Sequence, residues 1–226
     1  MPKVAFENEE YAARDLSADE ENKLQNALGN WIASPGSFLE FLIKRNYDSI
    51  RGALGVAKDR WDAPFKGISA GDSEIGIQKT RPGHILRTTA TTEAAANTWS
   101  FTFTSAGDYY VGRDTNNTTA VNIDKEACLL ILGVMFTQGA APVVEELRIG
   151  VGGTTYPVVV IRDAWTADND FGVRGIPIRP ILLVPKATSL WETYSIAGGV
   201  NELVLVGLTY GYGRYLRNAS YGSISL

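Results

Sequence analysis

Asn201-Glu202-Leu203-Val204-Leu205-Val206-Gly207-Leu208-Thr209-Tyr210 is the stretch whose reading decides the fold. Apolar and β-branched side chains follow one another without helical spacing, which predicts a long strand over residues 202–212. A second run, residues 127–136, is equally apolar but only strand-sized, well short of the ~20 residues that span a bilayer. Working outward, further strands are expected at residues 84–92, 99–103, 109–113, 147–151, 155–161, 178–184 and 190–196, separated by Gly, Pro, Asn and Asp clusters. Gly152-Gly153 marks a tight hairpin and Gly198-Gly199 a second turn. Eight or nine short strands imply an antiparallel sandwich or barrel, mainly β in class. The long link over residues 162–176 reads as a surface loop joining two sheets.

Before Pro64 the periodicity differs. Ser17 with Glu20 has capping-box spacing, and the helix it opens should stop at Gly29. Ser37 with Glu40 repeats the signal. Behind it Leu39, Ile43, Tyr47, Ile50, Leu54, Ala57 and Trp61 recur every three or four residues, on one face of a single amphipathic helix, with any break expected near Gly52 and Gly55. The chain thus divides into a helical segment, residues 1–63, and a β-domain, residues 64–226.

Composition narrows the chemistry. The 226 residues carry a formal charge of −4, and 45% are hydrophobic, which excludes disorder. A single cysteine, Cys128, rules out an internal disulfide. The start of the chain lacks a secretory signal, so a protein soluble by itself or through assembly is expected. Residues 1–62 hold 8 basic and 11 acidic side chains, whereas residues 127–226 hold only 7 of each. Such a deficit means either strands buried on both faces or an outer surface covered by another chain.

Site motifs are sparse. His84 is the one histidine; it and Cys128 read as a turn histidine and a core cysteine rather than a nucleophile–base pair. Glu145-Glu146 should face opposite sides of a strand, and Glu192 with Glu202 lacks a geometry that would make a glycosidase pair. Asp163, Asp168 and Asp170 could ligate calcium, without the spacing of an EF-hand. The glycines at 150–153 and 211–213 follow strands, not helix starts, and so do not cradle phosphate. Asn116, Asn117 and Asn218 open Asn-x-Ser/Thr triplets that are most simply chance. Tyr210, Tyr212, Tyr215 and Tyr221 with Arg214 and Arg217 have the composition of a subunit interface. The apolar helix face at Leu39, Ile43, Tyr47, Ile50, Leu54 and Trp61 is expected to pack beneath the β-domain or against a neighbouring subunit. No cofactor, metal or catalytic residue is expected.

With its eight or so strands, the Asp-rich loop at 163–172 and the closing run 201–210, the whole chain resembles viral coat proteins of the single jelly-roll kind. The resemblance implies a jelly-roll β-sandwich preceded by a helical N-terminal arm, and a non-enzymatic structural protein of the virion. Copies would assemble in the host cytoplasm into an icosahedral capsid shell, alone or with other virion proteins. Arms of such proteins are often basic, yet residues 1–28 carry three basic and seven acidic groups. Any contact with a genome or inner membrane is therefore expected through Lys44, Arg45, Arg51, Lys58 and Arg60. The alternatives are a carbohydrate- or receptor-binding sandwich, using the loop at 163–170 and exposed tyrosines, and a hydrolase of unusual design.

Overall fold

The computed structural model describes residues 1–6, 9–32, 37–84, 99–112, 121–123, 125–136, 143–151, 154–155, 159–160 and 174–219. The chain opens with an antiparallel hairpin, β1 (Lys3–Phe6) and β2 (Glu9–Ala12), where only helix was expected. Helix α1 (Ala18–Gly29) follows, started by the anticipated capping box: the Glu20 amide donates to Ser17 Oγ at 3.3 Å, and the Ser17 amide donates to Glu20 Oε2 at 3.0 Å.

The single helix expected from Leu39 to Trp61 is two, α2 (Phe38–Arg45) and α3 (Tyr47–Trp61). The break falls at Asn46 rather than at the glycines. There the backbone leaves helical geometry, and the Asn46 side-chain amide donates to the Leu42 carbonyl at 2.8 Å. Gly52 and Gly55 stay inside α3 because the N-terminal hairpin presses on them. A Cβ at Gly55 would lie 2.7 Å from the Arg14 carbonyl oxygen, and the Arg14 amide donates to the Gly55 carbonyl at 3.1 Å.

Two larger sheets carry the rest. The first runs β12 (Arg174–Leu183), β8 (Ala127–Phe136), β14 (Gly199–Tyr212), β4 (Ile75–Lys79) and β3 (Phe65–Gly67), with β5 (Ser100–Phe103) on the start of β14. The second runs β10 (Thr154–Thr155), β9 (Val144–Val151), β13 (Thr188–Ser195) and β6 (Gly107–Gly112); β11 (Val159–Val160) also pairs with β9, and β7 (Val121–Asn122) with β13. Every pairing is antiparallel except β3 with β4. The short strands β3 and β4 were not foreseen. Nor was α4 (Gly213–Ala219), which carries Arg214, Tyr215 and Arg217. His84 ends a 3-10 turn, Pro82–His84, instead of opening a strand; residues 85–92 lie outside the described ones.

Three layers result. Ala127, Leu129, Ile131 and Val134 of β8 face the second sheet and meet Leu147, Ile149, Val151 and Trp191 in one core. Cys128, Leu130 and Leu132 face the other way, into a second core with Leu24, Leu42, Ile50, Leu54 and Tyr210. The change of phase after Ile131 is a bulge. Gly207 pairs with Ile131 and Val206 with Gly133, so Leu132 is the extra residue. A strand covered on both faces has no reason to alternate, which accounts for the unbroken apolar run of β8. It also accounts for much of the charge deficit: the chain's own helices cover the first sheet, so no second chain is needed there.

Candidate functional site

The apolar face expected to join subunits is largely consumed within the chain. Ile43, Ile50, Leu54 and Tyr210 are buried in the helix–sheet core, and Tyr215 is buried at the end of the inter-sheet core. The Tyr210 hydroxyl donates to the Ile50 carbonyl at 2.8 Å, fastening α3 to β14. These five residues are therefore not available to another protomer, because burying them is what holds the helical layer to the sheet. Leu39 and Tyr47 remain half-buried. Tyr47 donates to Glu21 Oε1 at 2.6 Å while Arg51 donates to Glu21 Oε2 at 2.8 Å. The Tyr47 hydrogen bond comes first among the influences that hold the Glu21 carboxyl below its usual range.

The five helix cations have separate fates. Lys58 bonds Glu20 at 2.6 Å with both side chains nearly covered, and Arg51 is held by Glu21, so two of them clamp α1 onto α3. Lys44 pairs with Glu40 one turn earlier at 2.5 Å, and the Arg45 guanidinium lies 5.8 Å from the centre of the Phe41 ring. Arg60 is exposed. Beside Lys44, a groove of about 370 Å³ separates α1 from α2 and α3, lined by Gln25, Leu28, Ile32, Ile43 and Tyr47.

What does gather at the surface is Trp61, Tyr212 and Arg214, where the ends of α3 and β14 meet the first turn of α4. The Trp61 and Tyr212 rings are 5.5 Å apart and tilted by 41°, and the Arg214 guanidinium sits 5.0 Å from the Tyr212 ring centre. The Trp61 indole donates to the Lys125 carbonyl at 3.2 Å, and Arg214 Nε donates to both carboxylate oxygens of Glu126, at 3.2 and 3.1 Å. Arg217, on the same short helix, donates to the Ala70 carbonyl at 2.9 Å and pairs with Asp72. Trp, Tyr and Arg are the residue types over-represented at binding hot spots. Sequence spacing shows no sign that residues 61, 125–126 and 212–214 converge, since Glu126 and Arg214 lie 88 positions apart.

A second polar cluster decorates the outer face of the second sheet. Arg148 reaches Glu146 at 3.0 Å, Asp108 at 3.1 Å and Glu192 at 3.7 Å. Glu192 and Glu202 are on different sheets, β13 and β14, and so do not form a pair. Cys128 is buried, and burial pushes its thiol up to about 12. His84 is buried as well. Asp163, Asp168 and Asp170 lie outside the described residues, as do Asn116, Asn117 and Tyr221. Among the described residues no three His, Cys, Asp or Glu side chains could hold a metal, and no helix is long and apolar enough to cross a membrane.

No family model matches the chain, and no curated protein matches it. Among solved structures it is similar to the crystal structure of dimeric latent PorU from Porphyromonas gingivalis, at 7% identity and a TM-score of 0.22, covering 60% of this chain and 12% of that one. The chain thus spans about an eighth of that protein's length. A likeness of this size carries no argument about fold or role.

Proposed function

We propose that the chain is a structural shell subunit: a jelly-roll coat protein of a virion whose copies assemble into an icosahedral capsid, with its helical segment layered on one sheet. The strand order is the observation that carries the reading. Set aside the short strands β3, β5 and β7, and take β4, β6, β8, β9, the β10–β11 pair, β12, β13 and β14 as eight strands in chain order. The first pairs with the last, β4 with β14; the second with the seventh, β6 with β13; the third with the sixth, β8 with β12; and the fourth with the fifth, β9 with β10 and β11. A long antiparallel ribbon rolled around a sandwich gives this nesting, and jelly rolls of this kind recur in capsid and lectin domains.

The space between the two sheets is filled by Trp191, Leu129, Ile131, Leu147 and their neighbours, as suits a rigid building block. Ile196 and Val200 stand exposed at the β13–β14 turn, and Val160 on edge strand β11, where neighbouring wedges in a shell would abut. The Trp61–Tyr212–Arg214 group adds a patch of hot-spot composition. The low charge of residues 127–226 does not enter the argument, having an explanation inside the protomer. Fold alone never dictates role, so the test is assembly itself. Light scattering after size exclusion, with electron microscopy of the same fractions, should show closed particles or discrete multimers that Tyr212→Ala with Trp61→Ala diminishes. A monodisperse species of 24.5 kDa at every concentration would overturn the reading.

A further inference from the structure

We propose that His84 is an acid-sensitive latch, which in its neutral form locks the 3-10 turn Pro82–His84 to β14 and to α4, and which must come undone when the ring takes a proton. The geometry sets the protonation state. The Arg81 amide donates to His84 Nδ1 at 3.1 Å, so Nδ1 carries no hydrogen and the neutral ring holds its proton on Nε2. The Thr209 hydroxyl of β14 lies 2.8 Å from the same Nδ1, and the Thr80 hydroxyl lies 3.2 Å from Thr209 Oγ1. The chain Thr80–Thr209–His84 thus bolts the turn to a strand 125 positions away. On the other flank the Tyr215 ring of α4 packs against the imidazole, 5.9 Å between centres.

Protonation would place a hydrogen on Nδ1, opposite the Arg81 N–H, turning a hydrogen bond into a donor–donor clash. No group among the described residues compensates. Among the described residues Nε2 is buried without a hydrogen-bond partner, Tyr215 is the titratable group facing the ring from α4, and β14 presents Thr209, whose cross-strand partner on β4 is Gln78, both uncharged. The charge that bears on the ring is that of Arg81, which repels an imidazolium. Burial first, and Arg81 second, depress the His84 pKa to about 3 from its ordinary 6.5.

Because the depressed value belongs to the folded state, the full stability is present above pH 6.5 and is lost as pH falls from there toward 3, where only the unfolded chain binds the proton. The folding equilibrium should therefore fall by up to about tenfold per pH unit in that range.

This inference does not depend on the shell reading, and its test concerns the protomer. His84 is the only histidine, so its ring-proton resonances need no assignment. In the folded full-length protein they should stay at the neutral shift down to about pH 4; a midpoint near 6.5 would overturn the proposal. Urea unfolding of wild type and His84→Gln at pH 7, 6 and 5 gives the second readout. Wild type should lose about tenfold in equilibrium constant between pH 6 and 5 beyond any loss in the variant. Equal slopes would also overturn it, and if the variant does not fold the resonance titration decides alone.

Discussion

The ring of Phe38 occupies the space that a side chain at Gly175 would need. A Cβ at Gly175 would lie 2.7 Å from Phe38 Cε1, and one at Gly133 would lie 3.2 Å from the same atom and 2.9 Å from Leu42 Cδ1. Two glycines on adjacent strands, β12 and β8, therefore form a pit in the first sheet into which the first turn of α2 is set. At these two positions the sheet contributes no side chain, so the Phe38 ring rests directly on its backbone, a closeness that ties the N-terminal layer to the strands as one body.

Filling that pit should lift the helix. Gly175→Ala inserts one methyl where the Phe38 ring must then move, and overpacking of this kind costs about 1–3 kcal/mol. Phe38→Ala empties the pit instead, a change that costs about 3–5 kcal/mol in a buried site. The double variant should lose less than the sum of the two, because the clash vanishes with the ring. Urea-denaturation midpoints of the four proteins check this; strict additivity would show that Phe38 and Gly175 do not share the space.

Cys128 offers an independent probe of the same layer. Its thiol lies between β8 and the helices, with burial raising it to about 12. Only the thiolate reacts, so at pH 8.5 the native protein should resist iodoacetamide for as long as it stays folded, whereas urea-unfolded protein should be labelled within minutes. Labelling in the native state at the unfolded rate would place the thiol at the surface and remove the helical layer from above it.

The strands that could be read in the sequence were those whose partners demand something of every residue. Residues 127–136 are apolar throughout, and residues 202–212 nearly so, because both faces are largely covered, and the runs at 147–151 and 190–196 alternate because β9 and β13 turn one face to the core and the other to Arg148 and its acids. β3 and β4 escaped notice since Phe65-Lys66-Gly67 and Ile75-Gly76-Ile77 are short and broken by glycines, whose reason is the close approach of Leu216 and Ala70 to Gly76. The break at Asn46 was illegible for a different cause. The apolar period passes through it undisturbed, and only the side-chain bond to the Leu42 carbonyl marks it. Of the candidate site, Tyr212 and Arg214 are legible together as an interface composition and Trp61 separately as part of a helix face; that Trp61 touches Tyr212 is a consequence of β14 ending where α3 ends, which no local pattern encodes. The charge deficit leaves its two readings open because it cannot distinguish a face covered by a neighbour from one covered by the chain's own helices.

The clamp between α1 and α3 sets a second pH dependence, separable from that of His84. Burial of the Glu20 carboxylate opposes ionisation, but hydrogen bonds from Lys58, the Ser17 amide and the Ser17 hydroxyl outweigh it, and the Glu20 pKa lies below the usual 4.5. A depressed carboxylate contributes its stability in full above the unfolded value of 4.5 and loses it as pH falls through the folded one. The window thus lies below pH 4.5, whereas that of His84 opens at 6.5. Glu20→Gln should cost about 1.5–3 kcal/mol at pH 7, the range for a hydrogen bond to a charged group, because the nearly covered Lys58 ammonium loses its counter-ion, while the glutamine oxygen can still accept from the Ser17 amide. The deficit should shrink as pH falls below 4.5, where first the unfolded chain and then the folded wild type take up the proton and the two proteins become alike. Stability profiles of both from pH 7 to 3 check it. A gap that stays constant across that range would mean that Glu20 acts through packing alone, and that the ion pair with Lys58 does not fasten α1 to α3.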